Sequence, residues 1–477
     1  MLLLRDDRAR AECASLQQQH TELVGAVHRG EADLARVQSE KLFATMRAAL
    51  GSRMYDSMIP PEVREVLASG RVPGGTEIHA LFDKLPFLGK QELGERGRSA
   101  FTRSVSEFLH YYESSGTTGS PSAAPKAIDD LVVNTINIGE MWGRFLRPED
   151  VGLILINAPF APAAYQFEKI LEYLQVMSFR PWVDNITGDY TRVLRLVEEL
   201  EANVFIGPPS RLLEMVQFAY RKGLPAPRFD RLLLMAEQTG ESFVRHLERL
   251  TGATAYVASY GSSETGTPAV TCGHRKLHLQ PQSFLLELVD DEGVRRVTGA
   301  ADRGELVITT LDMPARPLLR YRTGDLVEID DTPCPCGLSL PVLNTLGRAQ
   351  DLLVLEENGI RQGDLEAALW ADEPVGGTVF NYMMVVKNHR VLVLVTTDGD
   401  GSDEWSARLA GKLRPLFGSY EVLVRAVPTL PPLASLGQYL GWKLSRVLDL
   451  NEERNWDRLP EPILAIVQAT LLEVAER

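Results

Sequence analysis

Short apolar runs of the strand type alternate with helical segments from about residue 150 onward. Leu153 to Ile156, Val204 to Ile206 and Leu232 to Leu234 are such runs, and a helical pattern through Glu168 to Leu174 follows the first of them. This alternation is typical of a mostly parallel sheet covered by helices. The sequence therefore predicts an α/β fold.

The pattern changes twice further along the chain. Strand-like runs at 284–289, 304–310 and 326–329 have few helical patterns between them, which predicts a small β subdomain at about 270–345. After Gly347 a hairpin, a helix, a strand and a closing helix follow in order. That order predicts a compact α+β domain.

The N-terminal segment has a helical composition. Residues 8 to about 50 contain no Pro and are predicted to form one or two helices that end near Gly51. Their role is packing or dimerisation, so a homodimer is a candidate assembly.

Because 477 residues exceed what one core usually serves, we expect two domains. The predicted order is an N-terminal helical region packing on the large domain at 1–80, a large domain of helix-covered β-sheets at 81–347, a hinge at 348–351 and a small mobile α+β domain at 352–477.

The charge balance and the cysteines limit the classes of binding partner and the cellular compartment that we expect. The net charge is −14, and no run of Lys or Arg is long enough to bind a nucleic-acid backbone. No apolar stretch has the length of a secretory signal or of a transmembrane helix, so we expect no membrane partner. Four unevenly placed cysteines suit a reducing compartment. The expected location is the cytoplasm.

One loop concentrates small hydroxyl and glycine residues. Glycines let backbone N–H groups approach anionic oxygens, and hydroxyls add donors, so such a loop can wrap phosphate without a Walker-type Lys. A flexible surface turn has the same composition, and the loop alone leaves both interpretations open. Its residues are Ser114, Ser115, Gly116, Thr117, Thr118 and Gly119.

The segment Ser-Ser-Gly-Thr-Thr-Gly-x-Pro at 114–121 resembles the phosphate loop of the adenylate-forming superfamily, which includes acyl-CoA ligases, adenylation domains and luciferases. Four further segments resemble later motifs of that superfamily and follow in the same order. Five motifs in one order are hard to obtain by chance. The four are Tyr260-Gly261-Ser262-Ser263-Glu264, Tyr321-Arg322-Thr323-Gly324-Asp325, Gly347-Arg348-Ala349-Gln350-Asp351 and Lys443-Leu444-Ser445-Arg446.

Two more segments are similar to the phenylacetate-CoA ligase-like branch. They are the Leu-Pro-Phe segment at 85–90 and the segment from Asn157 to Tyr165. The resemblance spans roughly residues 80 to 450. It implies that ATP activates a carboxylic acid as an acyl-adenylate, with release of pyrophosphate, and that the acyl group then passes to a thiol, with CoA as the expected acceptor.

Two alternatives stay open at this point. Relatives also pass the acyl group to an amine, a hydroxyl or a carrier-protein thiol, and no motif separates these acceptors. A catalytically inactive nucleotide-binding partner protein is the second alternative. The retention of Lys443, Glu264 and Asp325 speaks against it.

The resemblance assigns catalytic roles to three residues. Adenylation brings two anions together, so positive charge must neutralise the transition state, and Lys443 is the candidate. Glu264 is expected to hold Mg²⁺ with phosphate oxygens, which is the usual hard-ligand arrangement for that ion. Arg348 is expected to contact ribose or phosphate. One departure from the family is Trp442, which stands where Gly is usual.

The resemblance also assigns residues to the nucleotide and to the hinge. Tyr260 is expected to cover adenine, and Asp325 to accept hydrogen bonds from the ribose hydroxyls. Lys90 adds a second positive charge at the phosphates, although an exposed Lys is an equal interpretation. Asp351 matches the family hinge. The remaining nucleotide-binding candidates are Gly261, Ser262 and Ser263.

The matching segments also predict an acid pocket of small and aromatic residues. Such a lining leaves space for a flat ring, so the expected substrate is a benzoate-, anthranilate- or phenylacetate-like aryl acid. Two of the residues, Tyr165 and Glu237, can hydrogen-bond to a ring substituent. The predicted lining is Phe160, Ala164, Tyr165, Ala236, Glu237, Gly261 and Thr267.

Cysteine and histidine side chains form a candidate metal set. Cys334 and Cys336 are a short chelating pair, and with Cys272 and His278 they offer three thiolates and one imidazole, which suit tetrahedral zinc. Buried free thiols are the alternative, because the spacing is not that of a zinc finger. The branch includes members with a structural zinc from a similar set, so the resemblance implies structural Zn²⁺. His274 is the rival fourth ligand.

Overall fold

The computed structural model describes residues 4–114, 121–156, 161–183, 188–348, 353–355, 358–371, 376–430, 446–449 and 451. The chain divides into two compact units. The first unit comprises Met1–Phe179 and Val257–Ala349, and the second comprises Arg180–Tyr256 and Gln350–Arg477.

Helices and strands alternate through the first half of the chain, and strands dominate after it. The helices are α1 (Asp7–His28), α2 (Leu34–Ala49), α3 (Pro61–Ala68), α4 (Gly75–Phe82), α5 (Lys90–Arg96), α6 (Ile128–Trp142), α7 (Ala163–Tyr173), α8 (Thr191–Glu199), α9 (Pro209–Lys222), α10 (Glu241–Thr251), α11 (Gln362–Leu369) and α12 (Asp403–Leu413). The strands are β1 (His110–Glu113), β2 (Ala123–Lys126), β3 (Val151–Ile154), β4 (Met177–Phe179), β5 (Val204–Gly207), β6 (Arg231–Leu234), β7 (Thr254–Val257), β8 (Ser259–Ser262), β9 (Gly266–Thr271), β10 (Leu277–Leu279), β11 (Phe284–Asp290), β12 (Gly293–Arg296), β13 (Asp302–Thr310), β14 (Tyr321–Asp330), β15 (Val342–Arg348), β16 (Leu353–Leu355), β17 (Asn358–Ile360), β18 (Val379–Lys387), β19 (Arg390–Thr397), β20 (Glu421–Ala426) and β21 (Val447–Asp449).

The predicted α/β fold class is confirmed by parallel strand pairs that are flanked by helices. In the first unit β3 pairs with β4 in parallel, and α7 lies between them in the chain. In the second unit β5 pairs with β6 in parallel, and α9 connects them. Because parallel neighbours need a crossover connection, the helices follow from the strand order.

The two N-terminal helices begin at capped positions. The Asp6 side chain accepts a hydrogen bond from the Ala9 amide at 2.8 Å, and Asp33 accepts one from Arg36 at 3.1 Å. Such caps satisfy amides that the first helical turn leaves free. The prediction of one or two helices ending near Gly51 is confirmed by α1 and α2.

An eight-stranded antiparallel sheet forms most of the second half of the first unit. Its strand order is β12-β11-β13-β14-β15-β10-β9-β8. On β14 the buried residues Val327 and Ile329 alternate with exposed Glu328, as expected for a sheet with one buried face. The three strand-like runs predicted in this region lie in β11, β13 and β14.

A hydrophobic core joins the N-terminal helices to this sheet. Leu42 and Met46 of α2 and Phe82 of α4 pack in one cluster with Leu285 of β11. The Tyr55 hydroxyl, which is buried in the same cluster, donates to Pro317 O and accepts from the Leu319 amide, both at 3.0 Å. The N-terminal helices therefore form part of the first unit's interior.

The C-terminal part of the second unit has a four-stranded sheet of order β20-β19-β18-β21. The predicted hairpin is confirmed, because β18 and β19 are antiparallel with Val386 opposite Val391. Its turn residues Asn388 and His389 have φ of 48° and 57°, the left-handed conformation that suits a tight hairpin turn. The predicted closing helix lies outside the described residues.

Among the described residues, every helix is too short or too polar to cross a lipid bilayer.

Candidate active site

A short antiparallel hairpin, β1 and β2, frames the predicted phosphate loop. Beyond the last strand pair, the Ser114 amide donates to Ser122 O at 3.0 Å, and the Ser122 amide donates to Ser114 Oγ at 2.9 Å. These two bonds hold the ends of the loop together. Ser115, Gly116, Thr117, Thr118 and Gly119 lie outside the described residues, so their binding of phosphate stays a prediction.

Four buried ionisable side chains gather where this hairpin ends. Lys126 ends β2, Asp130 lies in the first turn of α6, and Glu264 and Arg316 come from later in the chain. Each of the four is at most 6% exposed. Lys126 Nζ donates to Ser263 O at 3.4 Å, and Arg316 Nη2 donates to Glu264 O at 2.8 Å. We call these four residues the charged cluster.

Several polar atoms of the charged cluster have no hydrogen-bond partner within the described part of the chain. They are Asp130 Oδ1, Glu264 Oε1, and both Nε and Nη1 of Arg316. Ser122 Oγ, at the base of the loop, is also buried without a hydrogen-bond partner among the described residues. An unpartnered buried polar group costs about 1–3 kcal/mol, and more when it is charged. Atoms of both signs in one place suit a polar ligand or an ion.

Burial and charge act differently on the members of the charged cluster. Burial lowers the pKa of Lys126 to about 8 and raises the pKa of Asp130 to about 6. Burial would also raise the pKa of Glu264, but the nearby charge of Lys90 and local hydrogen-bond donors outweigh it and lower that pKa overall. Glu264 is therefore a carboxylate at neutral pH. Lys90, which begins α5, is thus close enough to Glu264 to act on its charge, and its predicted role at the phosphates stays a prediction.

Lys126, Asp130 and Arg316 were not predicted as site residues from the sequence. A lysine directly after the small apolar residues 123–125 and an arginine inside the apolar stretch 313–319 are unusual, because charged residues are seldom fully buried without a partner. That mismatch between residue type and surroundings was the available signal. The grouping itself depends on contacts between residues 52 and 137 positions apart, which spacing does not reveal.

Three predicted nucleotide-binding residues come together on the antiparallel sheet. The Tyr260 hydroxyl on β8 donates to Asp325 Oδ2 at 2.7 Å, and Arg348 Nε on β15 donates to Asp325 Oδ1 at 2.6 Å. Asp325 and Arg348 are direct partners across β14 and β15, and the register shifts one pair later, between Leu326 and Val327. Such irregularities commonly re-aim side chains near active sites.

The Asp325 carboxylate is thus held from two sides. Burial and the neighbouring Asp325 charge raise the pKa of Tyr260 well above its ordinary value, so the phenol keeps its proton and remains a donor. Tyr260 and Arg348 therefore fix the orientation of the Asp325 carboxylate. The predicted binding of ribose hydroxyls by Asp325 stays a prediction.

Gly261 occupies a position that no larger residue could take. A Cβ atom at this position would lie 2.0 Å from the Gly266 carbonyl oxygen on the adjacent strand. The hydroxyl of the next residue, Ser262, lies 3.1 Å from Thr265 Oγ1, which closes the turn between β8 and β9. This turn carries Glu264, so the glycine helps to place the carboxylate.

A narrow cavity adjoins the charged cluster and contains one predicted acid-pocket residue. Its volume is about 10 Å³, and its lining includes Tyr165 of α7, Met313, Lys126 and Asp130. The Tyr165 ring lies 4.2 Å from the His110 ring. We call this space the acid cavity. Tyr112, Leu131, Asn134, Pro162 and Gln166 complete its lining.

The other predicted acid-pocket residues of the first unit have different positions. Thr267 lies beside the acid cavity, where its amide donates to Asn134 Oδ1 at 3.2 Å. Ala164 is buried in α7 and is not part of the cavity lining. Phe160 lies outside the described residues.

Ala236 and Glu237 belong to the second unit and follow β6. Ala236 has φ of 68°, a left-handed conformation that non-glycine residues seldom adopt. The Ser210 hydroxyl and amide both donate to the Glu237 carboxylate. Arg446 Nη2 lies 4.0 Å from the same carboxylate. The predicted contact of Glu237 with a ring substituent stays a prediction.

Arg446, the last residue of the predicted lysine motif, is buried in the second unit. Its side chain is 1% exposed and lies 4.0 Å from Glu366 as well as from Glu237. Arg446 Nε donates to Asn381 Oδ1 at 3.2 Å, and the guanidinium lies 4.5 Å from the Phe243 ring centroid. Lys443, Trp442 and Asp351 lie outside the described residues.

The candidate metal set is assembled by the antiparallel sheet. His278 lies on β10, Cys272 follows β9, and Cys334 and Cys336 lie in the connection between β14 and β15. Their ligand atoms all lie within 4.8 Å of one another. The rival residue, His274, instead directs its backbone N–H at Cys272 Sγ at 3.3 Å. The structure therefore groups the three predicted cysteines with His278 and not with His274.

The geometry of these four side chains fits a tetrahedral ion. With Zn–S bonds of about 2.3 Å, two thiolates on one zinc lie about 3.8 Å apart. The separation of Cys272 Sγ and Cys334 Sγ is 3.8 Å, and Cys336 Sγ lies 3.3 Å from His278 Nε2. The other ring nitrogen of His278 lies 3.0 Å from Leu340 O, which orients Nε2 toward the thiols.

The ionisation of these side chains also fits a metal site. Burial raises the pKa of the Cys336 thiol to about 12 and also raises that of Cys272. Burial lowers the pKa of His278, so its ring is neutral. Neutral imidazole is the form that binds metal, and a cation is what would stabilise the buried thiolates.

No protein-family model matches the chain. Among curated proteins it is similar to three phenylacetate-coenzyme A ligases. That of Thermus thermophilus is 28% identical over 327 residues, which is 65% of this chain and 69% of the relative. That of Aromatoleum evansii is 26% identical and covers 68% and 72% of the two chains. That of Escherichia coli is 24% identical and covers 70% and 75%.

Solved structures support the fold. The chain is similar to a 2-hydroxyisobutyryl-CoA ligase in the postadenylation state in complex with 2-HIB-AMP, with a TM-score of 0.70, 18% identity and 91% of each chain covered. An open conformation of that ligase, in complex with 2-HIB-AMP and CoA, gives a TM-score of 0.57 at 18% identity, with 84% and 89% covered.

Proposed function

We propose that this chain, which belongs to the adenylate-forming superfamily in its phenylacetate-CoA ligase-like branch, activates an aryl acid. Its reaction class is that of an AMP-forming acid–CoA ligase. In that reaction the acid carboxylate attacks the α-phosphorus of ATP and releases pyrophosphate. The thiol of CoA then attacks the acyl carbon and releases AMP.

The observation that supports the aryl acid is the likeness to phenylacetate-coenzyme A ligases. The acid cavity has a volume of only about 10 Å³, and Tyr165, Met313 and Lys126 are among the residues that line it. A flat ring stacks well on an aromatic wall, while its carboxylate needs a nearby cation. The names of the curated relatives, phenylacetate-coenzyme A ligases, agree with an acid of this class.

The charged cluster supports the proposed binding of ATP and Mg²⁺. Glu264 is a buried carboxylate with an unpartnered oxygen, which fits a magnesium ligand. Bound Mg²⁺ would neutralise phosphate charge there. Lys126, Arg316 and Lys90 supply further positive charge near Glu264. The loop at 114–119 is proposed to wrap the phosphates.

The remaining roles complete the proposed site. Tyr260 and Arg348 hold Asp325 for the ribose, and Lys443 stabilises the charge that develops during adenylation. The hinge at Asp351 would let one small domain serve both half-reactions. Cys272, His278, Cys334 and Cys336 are proposed to hold one structural Zn²⁺, since four protein ligands leave no position for water.

The decisive experiment is acid-dependent release of pyrophosphate from ATP, measured across benzoates, anthranilates, phenylacetates and fatty acids. An aryl acid is expected to give the highest kcat/KM, and CoA is expected to convert the adenylate to a thioester. If no acid supports turnover, the ligase assignment fails. If a fatty acid is preferred, the aryl assignment alone fails. Parallel reactions with hydroxylamine in place of CoA detect the adenylate independently of the acceptor.

A further inference from the structure

Two buried cations donate hydrogen bonds to successive main-chain carbonyls of the turn between β8 and β9. Arg316 Nη2 donates to Glu264 O at 2.8 Å, and Lys126 Nζ donates to Ser263 O at 3.4 Å. Arg316 lies in the connection between β13 and β14, and Lys126 ends β2. We call residues 263–265 the glutamate turn. Two side chains from distant parts of the chain therefore hold it.

The glutamate turn also has hydrogen bonds of its own. The Ser262 amide donates to Thr265 Oγ1 at 3.1 Å, and the Thr265 amide donates to Ser262 Oγ at 3.2 Å. These bonds join the two ends of the turn. The carbonyls of the two residues between them, Ser263 and Glu264, accept from the cations instead. Local bonds close the turn, and the cations fix its middle to the surrounding structure.

This arrangement leaves the Glu264 carboxylate available. Arg316 donates to the main-chain oxygen of Glu264, and Glu264 Oε1 accepts no hydrogen bond from any described residue. A carboxylate that accepts an arginine bidentately has fewer lone pairs left for a metal. Arg316 therefore secures the backbone of the proposed magnesium ligand, while one carboxylate oxygen remains for the ion.

The burial of Arg316 indicates a role beyond packing. Its side chain is 3% exposed, and Nε and Nη1 have no hydrogen-bond partner among the described residues. Burial of such groups costs free energy that the single bond to Glu264 O does not recover. Proteins keep unfavourable local arrangements of this kind mainly at functional sites.

We infer that Arg316, with Lys126 as its weaker partner, is a positioning residue for Glu264: the two cations fix the glutamate turn and thereby the place of its carboxylate. This inference rests on the proposed function, since Glu264 holds Mg²⁺ only if the chain activates an acid with ATP. Residues that orient a metal ligand typically contribute about 10–100-fold to metal affinity. The two cations therefore act on the affinity for Mg²⁺ through the backbone of its ligand.

The direction of the effect separates positioning from charge. Removal of a positive charge beside Glu264 removes a repulsion on Mg²⁺, so electrostatics alone would strengthen Mg²⁺ binding. Loss of a contact that positions the carboxylate would weaken it. The two roles therefore predict opposite changes in one measurement.

The test measures the Kd of ATP by calorimetry with and without Mg²⁺, in the absence of any acid. The Mg²⁺ enhancement is the Kd without Mg²⁺ divided by the Kd with it. Arg316→Met keeps an unbranched side chain but removes every donor, and we expect its enhancement to be at least about 10-fold below that of the wild-type chain. Lys126→Met should lower the enhancement by a smaller factor, because the Lys126 bond is the longer one. An enhancement that is unchanged or larger in both folded variants overturns the inference.

A matched control removes a positive charge from the surface of the same unit. Arg36 lies at an exposed position on α2, and Arg36→Met is expected to keep the wild-type enhancement. Should Arg316→Met fail to fold, Arg316→Lys keeps the charge but shortens the side chain, so it should also lower the enhancement. Circular dichroism confirms that each variant is folded.

The same experiments distinguish failure of the inference from failure of the proposed function. If the wild-type chain turns over an acid and the folded variants keep its Mg²⁺ enhancement, the inference alone is wrong. It is also wrong if a wild-type chain that turns over an acid shows no Mg²⁺ enhancement. Absence of turnover with every acid in the wild-type chain overturns the proposed function, and the inference with it.

Discussion

At the scale of single residues, Glu264 is proposed to hold the divalent cation that neutralises the phosphates of ATP. Its carboxylate is buried beside Arg316 and near Lys90, and one oxygen has no partner among the described residues. A neutral amide of the same shape would keep the packing but could not hold a divalent cation against the phosphates. Charge, rather than size, is therefore what this position contributes.

We predict that Glu264→Gln lowers the rate of acid-dependent pyrophosphate release about 100-fold, since loss of one transition-state charge interaction typically costs about 10²–10³ in kcat. The required Mg²⁺ concentration should rise as well. Glu65→Gln, at an exposed position on α3, is the matched control. A Glu264→Gln protein with the wild-type rate and wild-type Mg²⁺ dependence would contradict the assignment.

Residues that belong to local motifs were the ones that sequence reasoning could place. Tyr260, Asp325 and Arg348 each lie in a recognisable motif, and strand pairing brings them together. Lys126 and Arg316 lie in no quoted motif, and only the packing of distant segments sets them beside Glu264. Motif spacing therefore predicted three residues that the structure groups together, and their binding of the nucleotide stays a prediction, whereas the charged cluster required the tertiary structure.

At the scale of elements, the four candidate zinc ligands connect the β9–β10 turn to the long connection between β14 and β15. Cys334 and Cys336 lie among exposed residues of that connection, and the buried Leu338 and Leu340 follow them. A metal would fix the exposed part of the connection to the sheet.

We predict that the purified wild-type chain contains about one zinc ion, as expected for one four-ligand site per chain. Cys336→Ser should lose the metal and lower the Tm, because a structural zinc contributes directly to folding free energy. Cys13→Ser is the control, since Cys13 lies on α1 and outside the ligand set. A wild-type protein that contains no zinc and has the same Tm as Cys336→Ser would exclude the site.

Helix α11 carries Glu366, which packs against Arg446, Tyr382 and Gln362. Burial raises the pKa of Glu366 from 4.5 to about 7, although the Arg446 charge and two hydrogen bonds oppose the shift. Glu237, whose pKa burial also raises, faces Arg446 from the other side. Between pH 4.5 and about 7 the folded state therefore holds a proton on Glu366 that the unfolded state has released.

The direction in which stability changes with pH follows from this extra proton in the folded state. The stabilisation from Glu366 is complete below pH 4.5 and is lost as the pH rises through about 7. The free energy of unfolding should fall by up to about 3 kcal/mol across this window, and Glu366→Gln should lack this fall. Urea unfolding at several pH values measures it. Parallel curves for the wild type and Glu366→Gln would show that Glu366 does not titrate in the window.

At the scale of the whole molecule, the proposed nucleotide residues and the lysine motif belong to different units. Tyr260, Glu264, Asp325 and Arg348 belong to the first unit, whereas Arg446 belongs to the second. Arg446 lies three residues after Lys443, so the proposed role of that lysine is expected to depend on how this segment is anchored. Its buried contacts with Glu237, Glu366 and Asn381 provide such an anchor.

The proposed role of Lys443 can be tested by measuring adenylation and acyl transfer separately. Adenylation requires its charge because the carboxylate and the α-phosphate repel each other, whereas transfer begins from an adenylate that has already formed. We predict that Lys443→Ala lowers acid-dependent pyrophosphate exchange at least about 100-fold. Thioester formation from synthetic acyl-adenylate and CoA should remain near the wild-type rate. Lys387→Ala, at an exposed position on β18, is the control for both assays. Equal loss of the two half-reactions in Lys443→Ala would mean that this lysine supports the fold or the binding of both substrates, and not the adenylation step.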